Sequence, residues 1–208
     1  MNVIIVGAGG HGQVIADIFN GMTGIEIIGF VDDDPTLKNK SVFGLSILGK
    51  VADLPKIGHD GIIIAIGHNP TRQRLCQILH EQGEQFVSAI HPSVIIGSDV
   101  TIGKGTMIMA GVVINVGTCI GENVILNTGC TIDHHNQIGD CVHVAPGVNT
   151  GGEVHVNEGA LIGIGSTVMP GRSVGAWSIV GAGAVVTKDV PPKQTVVGIP
   201  AVALISNL

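Results

Sequence analysis

The run Ile96–Val186, written in sixes, reads IGSDVT IGKGTM IMAGVV INVGTC IGENVI LNTGCT IDHHNQ IGDCVH VAPGVN TGGEVH VNEGAL IGIGST VMPGRS VGAWSI VGAGAV V. The first letter of every six is aliphatic except at Thr150. The second is often glycine, as at Gly97, Gly103, Gly121, Gly163 and Gly175. The fifth is mostly small or β-branched, as at Val100, Thr106, Val112, Ala160 and Ser166. Such a period matches neither the helical repeat nor the two-residue alternation of an isolated strand. It fits short strands joined by turns, each placing one aliphatic side chain inward. Three sixes close a triangular coil of 18 residues, and stacked coils bury their aliphatic columns against one another. The reading predicts a parallel β-solenoid of about five coils over residues 96–190. Glycine is expected in its turns, where positive φ is tolerated.

Composition agrees with a narrow prism. The 208 residues include 32 glycines, four phenylalanines, one tryptophan and no tyrosine, so the interior must be built from Val, Ile, Leu and Ala. Hydrophobic residues at 45% and charged residues at 12% exclude a disordered chain, and the glycines lack the collagen period. A net charge of −6 and the absence of tyrosine argue against nucleic acid as a partner. No apolar run is long enough to predict a membrane span. The start MNVIIVGAGG has no basic leader region, which predicts no secretory signal. Cys76, Cys119, Cys130 and Cys141 have neither metal nor disulfide-scaffold spacing, and read as reduced thiols of a cytoplasmic protein.

Before the repeat lies a different pattern. MNVIIV reads as a buried strand, followed by Gly7-Ala8-Gly9-Gly10-His11-Gly12 and a helical pattern through Val14, Ile15, Ile18 and Phe19. Ile25–Asp34 reads as a second strand ending in acids. Gly61–Gly67 reads as a third, with a helix near Pro70–Gln82. This is a βαβ-type, Rossmann-like α/β mononucleotide domain. Glycines let backbone N–H groups approach an anion at a helix N-terminus. Gly9, Gly10 and His11 are therefore candidate diphosphate contacts. Asp32, Asp33 and Gly67 lie on loops expected to converge with them at the same sheet edge. The domain is too short for two dinucleotide halves, so a nucleoside diphosphate fits better than NAD. Predicted boundaries are residues 1–88 for the α/β nucleotide-binding domain, 89–190 for the solenoid and 191–208 for a C-terminal tail.

The repeat and the segment Gly181–Ala201 (GAGAVVTKDVPPKQTVVGIPA) resemble the left-handed parallel β-helix of hexapeptide-repeat acyltransferases and the stretch where such enzymes leave it. With the GxGGHG loop, FVDD, AIG-x-N-x-x-R and HPSVIIG added, nearly the whole chain resembles the bacterial nucleotide-aminosugar N-acetyltransferases. These are grouped with the sialic acid O-acetyltransferase-like proteins. The resemblance implies an acetyl-CoA-dependent N-acetyltransferase, trimeric, acting on a nucleotide-linked amino sugar. The nucleotide would be held by the first domain and acetyl-CoA by the solenoid. The alternatives are an O-acetyltransferase acting on sialic acid or a related sugar, and a non-catalytic nucleotide-sugar-binding trimer.

Within LNTGCTIDHHNQIGDCVHV (Leu126–Val144) the resemblance places the general base at His134. Asn127, Asp133 and His135 stand around it in supporting places. His143, Gly152, Ile164 and Ala182 fall on positions that contact the acetyl donor. The family commonly has Glu or Asp directly after the base. Here that position is His135, which cannot supply a fixed negative charge. Zinc is not expected: adjacent His134 and His135 should point apart in an extended segment, and no HxxxH or cysteine pair accompanies them.

Overall fold

The structure, a computed structural model, describes residues 1–204. The chain divides into two compact units, Met1–Pro92 and Ser93–Leu208.

In the first unit the sheet is built from β1 (Asn2–Val6), β2 (Glu26–Val31), β3 (Ser41–Val42), β4 (Leu45–Gly49) and β5 (Gly61–Ile64), in the order β3-β4-β2-β1-β5. All neighbours are parallel except the β3–β4 pair, which is antiparallel. The apolar runs VIIV and III are fully buried in β1 and β5, as expected of parallel strands covered on both faces. Helices α1 (Gly10–Asn20) and α2 (Asn69–Glu81) follow β1 and β5. The chain runs outward from β1 through β2 to β4, then returns to place β5 on the other side of β1. The strand order therefore reverses at β1, and ligands of open α/β sheets bind at the carboxyl ends of strands at such a point. The short β3–β4 hairpin and the 3₁₀ turns at Pro35–Leu37 and Val51–Lys56 were not visible in the apolar pattern.

The second unit is a left-handed parallel β-helix. Two-residue strands recur every six residues from Ile95–Ile96 to Val185–Val186 and stack into three parallel sheets. Partners are 18 residues apart, as in Ile114↔Ile132 and Ile132↔Thr150. The aliphatic column is buried from Ile108 to Val186, with Thr150 in line. Of residues 191–208, Thr195–Val197 extends one sheet in parallel and Val202–Ala203 adds an antiparallel strand. Residues 205–208 of the tail lie outside the described residues.

Glycine does two separate jobs in the turns. The glycines that follow the aliphatic column are needed for close approach: a Cβ on Gly103 would lie 2.5 Å from the backbone of Gly121 in the next coil. Positive φ falls two residues later, at Gly105 (φ +70) and its equivalents. At that second position glycine gives way to Asp99, Asn123, His135, Cys141, Glu153 and Trp177, all with φ between 52 and 59. Among the described residues no helix is long and apolar enough to cross a membrane.

Candidate active site

Two groups of predicted residues sit on different corners of the β-helix. His134 lies in the turn between the strands Thr131–Ile132 and Gln137–Ile138. Its backbone N–H donates to Asp133 Oδ1 at 2.8 Å, and the Asn115 amide donates to the same oxygen at 2.8 Å. These two bonds, the Asn115 bond foremost, hold the Asp133 carboxyl below the usual carboxylate range. The His134 and His135 rings are exposed and meet edge-on, with Nδ1 to Nδ1 at 3.2 Å. The expectation that adjacent histidines diverge is therefore overturned. His135 is not extended but left-handed (φ +55), and this turns its ring back toward its neighbour.

Glycines one coil away make room for both rings. A Cβ on Gly152 would run into His134 Cε1 and Nε2, and a Cβ on Gly117 would lie 2.7 Å from His135 Cδ2. The turn itself is braced from both sides by buried polar groups. From the coil before, Thr118 Oγ1 donates to Asp133 O at 2.9 Å. From the coil after, Thr150 Oγ1 accepts from Asn136 Nδ2 at 2.7 Å and from Asp133 N at 3.3 Å, and Val154 N donates to Asn136 Oδ1. Thr118 and Asn136 are fully buried. Sequence reasoning passed over Thr118, Asn136 and Thr150. The one interruption of the aliphatic column marked Thr150 alone.

The second group lies along the sheet that holds Ile125–Leu126, His143–Val144 and Leu161–Ile162, and at the corner that follows it. Asn127 accepts from Thr128 N through Oδ1 (2.8 Å), so its Nδ2 donates to His143 Nε2 at 3.2 Å. That fixes a neutral His143 as the Nδ1–H tautomer. Asn127 thus stands with His143, not with His134. Ile164 and Ala182 stack one coil apart in the turns after Leu161–Ile162 and Ile179–Val180, and Gly183 N donates to Ile164 O. Ile164 is 61% exposed. Within one chain this corner and the His134 corner are different edges of the prism. Cys130 is buried, and burial pushes its thiol up to about 12. Among the described residues no three His, Cys, Asp or Glu side chains gather as a metal cage.

In the first unit three loops meet beyond the sheet. Gly7 N donates to Val31 O (2.9 Å), Ala8 N to Asp32 Oδ2 (2.8 Å), and a Cβ on Gly7 would press on Ala65 O at 3.1 Å. Asp32 also accepts from Asp34 N at 2.8 Å, so its carboxylate clamps the glycine loop to the acidic turn. Asp33 accepts from Val51 N at 3.1 Å. Gly9 and Gly10 open outward, with nothing within 4 Å of where a Cβ would stand, and so does Gly67. Gly9 is the N-cap of α1, so the positive end of the helix lies at this loop. His11 is mostly buried, and burial, with the Arg72 charge second, lowers it to about 4, so it is neutral at pH 7. Arg72, the last residue of the AIG-x-N-x-x-R motif, is fully buried. Its guanidinium donates to Ile66 O (2.9 Å), Gly67 O (3.3 Å) and Asn69 Oδ1 (3.0 Å), holding the loop after β5. Beside Asp32 a cleft of about 410 Å³ is lined by Asp34, Lys38, Asn39, Ile47 and Lys50 among others.

The chain is similar to several known proteins. Residues 2–79 match the PglD N-terminal domain family. The chain is 34% identical over 192 residues to the GDP-perosamine N-acetyltransferase of Escherichia coli O157:H7, covering 86% of this chain and 82% of that one. It is 39% identical over 111 residues to the UDP-N-acetylbacillosamine N-acetyltransferase of Bacillus subtilis (strain 168), covering 52% of this chain and only about half (51%) of that enzyme. The fold matches PerB from Caulobacter crescentus, solved with CoA and GDP-perosamine, with a TM-score of 0.93 and 36% identity over 99% of this chain and 98% of that chain. The Caulobacter enzyme is also solved with alanine or asparagine in place of a histidine.

Proposed function

The chain belongs to the N-acetyltransferases of nucleotide-linked amino sugars, and from that premise we propose how its own residues divide the reaction. The first unit holds the nucleotide diphosphate of the acceptor. Its phosphates meet the N–H groups at Gly9 and Gly10 beside neutral His11, with Asp32, Asp33 and Gly67 around the crevice. The nucleoside lies in the cleft beside Asp32, whose volume suits a small ligand. The solenoid holds acetyl-CoA against His143, Gly152, Ile164 and Ala182, with Asn127 steadying His143.

His134 is the general base. The neutral amine attacks the thioester carbonyl, a C–N bond forms, and His134 Nε2 takes the amine's proton. Collapse of the tetrahedral intermediate breaks the C–S bond and releases the CoA thiolate, which is reprotonated from the imidazolium. Asp133 and His135 orient the base. Because the His134 and Ile164–Ala182 corners are distinct edges of one prism, one catalytic site is completed by two copies, and a closed ring of three supplies three such sites. The enzyme works in the cytoplasm, where its free thiols stay reduced.

One observation carries the reading. An exposed imidazole stands over a glycine, in a turn braced by Thr118, Asn136 and Thr150 in place of apolar packing. The test is CoA thiol release from acetyl-CoA with a panel of GDP- and UDP-linked amino sugars, alongside analogues bearing a hydroxyl in place of the amine. Release with an amino sugar, lowered about 10²–10⁴-fold in His134→Ala, is the expected result. Release with the hydroxyl analogues alone, or full turnover in His134→Ala, would overturn it.

A further inference from the structure

We infer that His134 and His135 form a one-proton dyad, in which His135 is the positioning residue that accepts a hydrogen bond from the base. The inference rests on the reading of His134 as the base. Two imidazole Nδ1 atoms 3.2 Å apart attract only if one carries hydrogen and the other a lone pair. A base that takes its proton at Nε2 must keep that lone pair free, so neutral His134 is the Nδ1–H tautomer and donates. His135 then accepts at Nδ1 and keeps its own proton on Nε2. When His134 becomes the imidazolium its Nδ1–H stays in place, and a charged donor strengthens the same bond. His135 thus orients the base through its Nδ1 acceptor.

Two further features of the molecule belong to this arrangement. His135 occupies a left-handed position (φ +55), which turns its ring back toward His134. The glycine one coil below, Gly117, is the seat for its ring, since any Cβ there would strike Cδ2 and Nε2 at 2.7 and 2.9 Å. His134 has its own seat at Gly152 in the coil above. The two rings are therefore held toward each other from opposite sides.

The side-chain oxygen of asparagine can stand where Nδ1 stands, whereas that of glutamine falls nearer Nε2. His135→Asn and His135→Gln therefore separate an Nδ1 acceptor from mere bulk. We expect kcat in His135→Gln to fall about tenfold with both KM values unchanged, the effect of losing one hydrogen bond to a charged donor, and His135→Asn to stay near wild type. Long-range ¹H–¹⁵N correlations on histidine-labelled, folded wild-type protein should show hydrogen on Nδ1 of His134 and on Nε2 of His135. Hydrogen on Nε2 of His134 would overturn the assignment. Wild-type kcat in His135→Gln with His134→Ala still inactive would overturn the dyad and leave the base standing. Wild-type turnover in His134→Ala would overturn the base itself.

Discussion

A methyl group on Gly152 has no space except that filled by the His134 imidazole. Gly152 has no positive φ, so alanine brings no backbone strain there. Gly152→Ala should therefore displace the His134 ring while leaving the fold alone. The expected result is a fall in kcat of about 10–100-fold, within the span assigned to a positioned base, with a melting temperature close to wild type. Steady-state kinetics paired with a thermal melt reads both, and a large loss of stability would mean that the glycine serves packing. His11 makes a different residue-scale prediction. Its folded value of about 4 lies below the ordinary 6.5, so the unfolded chain binds the proton first as pH falls. The stability that this group contributes is complete above pH 6.5 and is lost progressively down to about 4. The melting temperature of wild type minus that of His11→Asn should shrink across that window. A constant difference would mean that His11 titrates normally in the folded protein.

At the scale of elements, the informative residue is the exception in a regular column. Thr150 is buried in line with fifteen aliphatic neighbours and takes hydrogen bonds from Asn136 Nδ2 and Asp133 N. Thr150→Val restores the column and strands a buried amide. It should destabilise the protein by about 1–3 kcal/mol, the penalty for an unpaired buried polar group, and lower kcat with little change in KM. Denaturant melts and kinetics would check this; a more stable variant with full activity would show that the bracing has no catalytic purpose. The same column explains what could be read from sequence. Strand placement follows from a period repeated without slippage, so residues 96–186 were legible six at a time. The bracing of the His134 turn was not, because it joins residues 14 to 18 apart whose polar atoms are defined only once the coils stack. The crevice loops of the first unit were legible from Gly7–Gly12 and the acids after β2. The clamp from Asp32 to Ala8 and the buried Arg72 were not, since a carboxylate bonded to a backbone N–H and one bonded to a ribose leave the same letters. The β3–β4 hairpin escaped because its strands are short and half-buried, without the solid apolar run of β1 and β5.

For the whole molecule, the proposed site draws on two separate corners, which predicts that more than one chain makes one site. His134 stands between one pair of prism faces, and the Asn127, Ile164 and Ala182 turns stand between another. Joining one corner to a different corner of the next copy is a heterologous contact, and such contacts close into rings when the rotation permits. A prism with three faces suits a ring of three. Neither His134→Ala nor His143→Ala should then be active alone. Mixed at equal amounts, dissociated and reassembled, they should recover about one quarter of wild-type turnover. That is the share of interfaces that pair an intact His134 corner with an intact His143 corner when copies assort at random. If each chain carried a whole site, every chain in the mixture would still lack one histidine, and no activity would return. Recovery that depends on reassembly, absent when the two variants are combined without dissociation, would place the two histidines of one site on separate copies.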